Sequence, residues 1–308
     1  MRDLNEFRIY YNQTIHPELM RLDRQRRRLL RLIFFSGVAL IALLIFQLYV
    51  DILLVTLTLS IPIAIYIYFL TKQVKKFRLD FKPKVVNLIL DFMKESINFR
   101  RMSYDPNKFI PKEMFMTSRI FGVNPAVYEG EDYIEGRVDE VEFQLSELNV
   151  KEFSRVRNRL NYVFQGVFLH AELKQPLNGM VVILPRQFRQ YLTRTIKYLN
   201  LSNTADMDGF IKSDAFRNTF LTYATVNVKI GEVLPDYMQQ VFVNYVKRTG
   251  KQIYVSFKGK HLFIAITNPK DMLEPHIFQS NVSFDLIREF FEDIQTVVSL
   301  VEEFDNHH

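Results

Sequence analysis

Cysteine and tryptophan are both missing from this chain of 308 residues. The first absence excludes disulfides, thiolate zinc sites, iron–sulfur clusters and a cysteine nucleophile. It leaves the redox compartment open, because a reducing compartment merely permits it. Histidine is scarce at six, and no two of His16, His170, His261, His276, His307 and His308 have the paired spacing of a helical metal site. His170 and His261 fall in expected strands, where satisfied or solvent-facing rings are the plainer reading. Glycine is thin as well, at ten, and scattered singly, so no glycine-rich phosphate loop exists. No serine-centred nucleophile elbow is present either. The expectation is no catalytic residue, no metal and no cofactor, and a chain that leans away from being an enzyme.

A positive charge spread over the whole chain is also lacking, although the net charge is +6. Arg21, Arg24, Arg26, Arg27, Arg28 and Arg31 stand against Asp23 alone, and Lys72, Lys75, Lys76, Arg78, Lys82 and Lys84 against Asp80 alone. Outside those two stretches the chain is net negative, so a basic nucleic-acid face is not expected.

Between the two basic stretches lie two uncharged apolar runs, residues 32–50 and 52–70, each 19 residues long. A bilayer core of about 30 Å needs about 20 apolar residues in a helix, so each run is long enough to cross once. Gln47 and Asp51 mark a turn between them, and the two runs read as an antiparallel transmembrane hairpin. A buried soluble hairpin would keep a polar stripe, and these runs have none. Both basic clusters flank the open ends of the hairpin and none sits in its turn. The positive-inside rule then puts both termini in the cytoplasm of a bacterial inner membrane. Pro62 is expected to kink the second span.

The expected fold class is α+β: an N-terminal hairpin with a helical stalk over residues 1–104, then a mostly antiparallel cytoplasmic α+β domain over 105–308. Leu4, Phe7, Tyr11 and Ile15 recur at helical spacing, and His16-Pro17 predicts a break before the membrane helix. Phe81–Phe99 predicts a separate stalk helix. Further on, Tyr133–Val150, Tyr162–Leu173, Met180–Leu184 and Phe216–Val226 predict strands. Arg186–Leu199 has helical spacing. Pro235 opens a helix that Gly250 closes. Ile253–Phe257 and Leu262–Ile266 predict a hairpin turning at Lys258-Gly259. Ser283 caps a final helix.

Several segments together resemble a bacterial two-transmembrane family of uncharacterised proteins, domain of unknown function 3137. They are Ile15-His-Pro-Glu-Leu with the arginine run, Glu131-Asp132-Tyr133 with Gly136, Ser146-Glu147-Leu148, Phe164-Gln-Gly166-Val-Phe168, Leu234-Pro235-Asp236-Tyr237-Met238, Ile253-Tyr-Val-Ser-Phe257 and Leu262-Phe-Ile-Ala-Ile266. The resemblance implies a membrane-anchored cytoplasmic domain and implies no activity.

Two groups of residues are candidate contacts. Glu131, Asp132, Tyr133 and Glu147 come from neighbouring expected strands and could meet a ligand or partner. Paired carboxylates can serve as acid and base, while a charged turn with capping or salt-bridge contacts is the bland alternative. Arg186, Arg189, Arg194 and Lys197 accompany Phe188, Tyr191, Leu192 and Ile196 on an amphipathic stretch suited to an anionic membrane surface. A surface helix packed on the domain explains them as well. Arg155, Arg157 and Arg159 add to a membrane-facing patch or belong to a loop. Asp206, Asp208 and Gly209 match three positions of a calcium loop, but Thr204 and Ala215 stand where it needs carboxylates. The leading function is a membrane-anchored, non-enzymatic binding or scaffold module. The alternatives are a membrane-associated hydrolase or transferase using the acidic cluster, or a subunit of a larger membrane complex. A lipid bilayer is the expected partner, with other membrane proteins or self-association as further candidates and no nucleic acid.

Overall fold

The computed structural model describes residues 4–50, 53–95, 99–154, 158–187, 195–197, 199, 203–268 and 273–306. Two compact units form. One comprises residues 1–96 with 273–290, the other residues 97–272 with 291–308.

In the first unit, α1 (Leu4–Tyr10), a π-helical turn (Tyr11–Ile15) and α2 (His16–Val50) follow one another without interruption. The expected break at His16-Pro17 is absent. His16 stays helical at φ −60°, ψ −44°. Proline lacks an N–H, and its ring crowds the carbonyl four residues back. The wider π turn lies immediately before it, where that crowding would fall. A second departure concerns the stalk. α3 (Leu53–Lys94) is one helix through Pro62 and Pro83, so the second apolar run and the expected stalk are continuous. No glycine lies between the two prolines to end the helix. Asp51 of the expected turn lies outside the described residues.

The hairpin is packed at one end and bare at the other. Phe7, Ile15, Leu19 and Leu22 are buried, as are Phe81, Val85, Ile89 and Phe92. The Phe7 and Phe92 rings lie 5.2 Å apart and the Tyr10 and Phe92 rings 4.9 Å. Residues 273–290 add to this end. Arg26 pairs with Asp23 at 2.7 Å and donates to the Ile277 carbonyl at 2.9 Å, and Lys82 reaches Glu274 at 3.0 Å. Two cations of the basic flanks are thus buried and paired rather than free in solvent. Towards the turn, Phe34, Leu48 and Leu54 are largely exposed.

The second unit is α+β around one seven-stranded sheet. Its strands are β1 (Phe99–Asp105), β2 (Val127–Val138), β3 (Val141–Ser154), β4 (Arg159–Pro185), β5 (Thr204–Asp206), β6 (Phe220–Thr225) and β7 (Ile253–Thr267). Every described pairing is antiparallel, in the order β1-β2-β3-β4-β6-β5, with β7 along the other edge of β4. Short helices α4 (Lys112–Thr117), α5 (Asp214–Thr219) and α6 (Ile230–Val233) accompany α7 (Asp236–Thr249) and α8 (Phe284–Asn306). Pro235 and a left-handed Gly250, at φ 68°, bound α7 as the sequence predicts. Ser283 accepts the Leu286 N–H at 3.4 Å at the start of α8.

The expected hairpin at Lys258-Gly259 does not form. β7 continues through it with Gly259 left-handed at φ 60°, and both halves pair with β4: Glu172 with His261, then Met180 with Lys258. The ladder is irregular at this point, with register shifts on either side of the Leu177–Gly259 pair and the longer excursion in β4. Met180–Leu184, expected as a separate strand, is the far half of β4. Phe216 lies in α5, capped by Ser213, and the strand begins only at Phe220.

Alternate residues of β7 serve opposite faces. Tyr254, Phe263 and Ala265 join Phe115, Phe121, Phe164 and Phe168 in a core closed by residues 110–123. On the other face, Phe257 meets Phe304 of α8 at 4.4 Å, and Phe242 of α7 lies 6.1 Å from Phe304. Replacing Phe304, which is fully buried, with alanine should cost about 3–5 kcal/mol. Phe210→Ala, at a residue 73% exposed, should change stability by no more than about 0.5 kcal/mol. Denaturant melts of the two variants check this, and equal midpoints would contradict the packing described.

Candidate functional site

Glu131 and Glu147 are direct cross-strand partners between β2 and β3. Like charges in that position repel. The ladder resumes at Ile134 with Leu145, so β2 bulges between. Asp132 occupies the bulge with a left-handed backbone, φ 58°. Bulges re-aim side chains, and here the result is convergence. One carboxylate oxygen from each of Glu131, Asp132 and Glu147 lies within 4.8 Å of the others. Asp132 and Glu147 are buried and Glu131 half-buried. The Tyr104 hydroxyl donates to Asp132 Oδ1 at 2.5 Å, and the Asp132 N–H donates to the Pro106 carbonyl at 3.4 Å. A cavity of about 220 Å³ adjoins the cluster, lined by Glu129, Gly130, Glu131, Glu147, Leu148, Asn149 and Gln165. Three oxygens at this spacing have the chemistry of a hard-cation ligand set.

Tyr133 is not part of this group. It belongs to the core cluster with Phe115 and Phe121, and the Lys108 ammonium sits over its ring at 3.8 Å. Burial pushes its phenol above the ordinary range. Lys108 also reaches Glu135 at 3.5 Å.

The basic candidates separate. Arg186 donates to the Arg217 carbonyl at 2.7 Å and the Phe220 carbonyl at 3.2 Å, and it pairs with Asp208. Lys197 is exposed. Arg189 and Arg194 lie outside the described residues. Asp208 also accepts the Thr222 N–H at 3.1 Å, and Asp206 accepts the Asp208 N–H at 2.8 Å, so both carboxylates brace this turn.

One pair escaped sequence reasoning. His170 Nε2 lies 3.0 Å from His261 Nδ1 across β4 and β7. The His170 ring also stacks on Phe263 at 5.0 Å. Burial, aided by the His261 charge, pushes the His170 pKa down to about 4. The two residues are 91 apart in the chain, and no local pattern links them.

Against known proteins, residues 162–306 match the family described as protein of unknown function (DUF3137). The resemblance read from the sequence holds there, from β4 to the end of α8; Glu131, Asp132 and Glu147 precede the match. A search of curated proteins finds no match. Among solved structures, the crystal structure of the mycobacterial trehalose monomycolate transport factor A, TtfA, is similar over 63% of this chain and 88% of that one. Its identity is 8% and its TM-score 0.32.

Two outcomes follow for the candidate residues. Asp132→Asn keeps an acceptor for Tyr104 and tolerates the left-handed backbone, whereas Asp132→Ala does neither. The alanine variant should be less stable than the asparagine variant by about 1–3 kcal/mol. Coincident denaturation curves would show that the bulge does not depend on Asp132. For His170 the folded state holds the neutral ring, while the unfolded ring takes a proton below about its ordinary value of 6.5. Stability from this group is therefore complete above that value and falls as pH drops towards about 4. Melting temperatures measured across that window should decline more steeply for the wild type than for His170→Gln; parallel profiles would remove His170 from the account.

Proposed function

We propose that this chain is a membrane-anchored cytoplasmic binding or scaffold module, non-enzymatic, held in a bacterial inner membrane by two spans with both termini inside. The observation that carries the anchor is exposure. Two helices are long and apolar enough to cross a membrane, and only 6% of each apolar window is buried. A core helix of a soluble protein of this size would be covered on one side at least. The same helices do bury side chains where they leave the apolar runs, so bareness is confined to the stretch that lipid would cover. The arginines and lysines at the open ends support the orientation, since retained cations mark the cytoplasmic side.

Support for binding rather than chemistry is architectural. The β4–β7 ladder is buried on both faces, which leaves edges, bulges and strand tips for contact with a ligand or partner. The Glu131–Asp132–Glu147 group with its adjoining cavity is the contact point of choice.

Topology reporters inserted after Phe7 and fused after Phe304 should both read cytoplasmic in a bacterial host. A periplasmic signal from the C-terminal fusion would sink the two-span reading.

A further inference from the structure

The tip formed by β3 and β4 carries a cluster the anchoring does not use. Phe153 pairs with Leu160 and Lys151 with Tyr162 across the two strands. With period-two alternation these four side chains share one face. Phe153 is 51% exposed, Leu160 46% and Tyr162 57%. Isolated exposed apolar residues are ordinary, but three neighbours on one strand tip mark a contact surface. The Lys151 ammonium lies 4.7 Å from the Tyr162 ring, and Arg159 is exposed at the turn. Between the paired strands the sequence adds Arg155 and Arg157, against Glu152 as the one acidic residue of 151–162.

We infer that this strand tip docks on an anionic lipid surface, with Phe153, Leu160 and Tyr162 entering the headgroup boundary and Lys151 and Arg159 meeting lipid phosphates. Charge selects this occupant. Aromatic and aliphatic side chains ringed by cations match a layer that is apolar below and negative at its surface. Tyrosine suits such a boundary because its ring is apolar and its hydroxyl polar. The inference rests on the membrane reading for its setting.

The absence of tryptophan makes Phe153→Trp a sole indole emitter. The full-length variant is reconstituted into vesicles of phosphatidylcholine alone, or of phosphatidylcholine with phosphatidylglycerol, each with or without acyl-brominated lipid. Emission should be blue-shifted and several-fold more quenched by brominated lipid when phosphatidylglycerol is present. Adding Lys151→Glu and Arg159→Glu should return both signals to the phosphatidylcholine values. Solvent-like emission without quenching in the anionic vesicles overturns the inference. So does a blue shift without quenching, which would assign the tip to a second copy of the chain, and so does quenching that survives charge reversal. Resistance to carbonate extraction reads the spans separately. If the protein washes off, the spanning reading fails, while quenching on added vesicles still tests the tip.

Discussion

A β-carbon at position 166 would sit 2.1 Å from the Ile266 carbonyl oxygen and 2.5 Å from the Asn268 nitrogen. Only glycine lets β4 and β7 approach so closely, and it does so at φ 146°, outside the range most side chains tolerate. The second unit depends on that contact. β4 is its longest strand, flanked by β3 and then β6 on one edge and by β7 on the other. Both cores are built from residues that β4 and β7 send to opposite faces. The register shifts on either side of Leu177 let one strand serve two partners in turn without losing its ladder to β7. The His170–His261 contact is a by-product of the same register.

The first unit obeys a different constraint. Its helices are far longer than their apolar runs, and the apolar stretch is bare while the rest packs in the usual way. The packed end uses aromatic stacking and buried ion pairs. A buried ion pair carries a large desolvation cost and is weak evidence for stability. Arg26 and Lys82 are better read as specifying register between the helices and residues 273–290. They also complicate any purely electrostatic account of orientation, since cations counted as free flanks by composition are here committed to partners.

The carboxylate cluster joins sequence and structure most closely. Glu131 and Glu147 oppose each other because of strand register, and Asp132 joins them because an extra residue bends β2. That geometry brings three carboxyl groups together beside a cavity. Tyr133, adjacent in sequence, faces the other way, because one step along a strand changes the face.

Local chemistry determined a good deal. Two uncharged runs of spanning length define the apolar hairpin whatever surrounds them. Proline and glycine bound α7, because caps act within a single turn. Alternation identified the two halves of β7, Ile253–Phe257 and Leu262–Ile266, as strand. Tertiary structure decided what depends on partners. Lys258-Gly259 has turn chemistry, yet β4, 27 residues long, offers hydrogen bonds to both halves of the 15-residue β7, and this pairing outweighs a local preference. Pro17 reads as a break, but a π turn absorbs it within a helix that packing sustains. The convergence of Glu131, Asp132 and Glu147 needed a register and a bulge, and the meeting of His170 with His261 needed a ladder between distant strands. Composition and spacing carry propensities, which act over a few residues. Register between strands is set by the whole buried face, so only the assembled sheet determines which side chains meet.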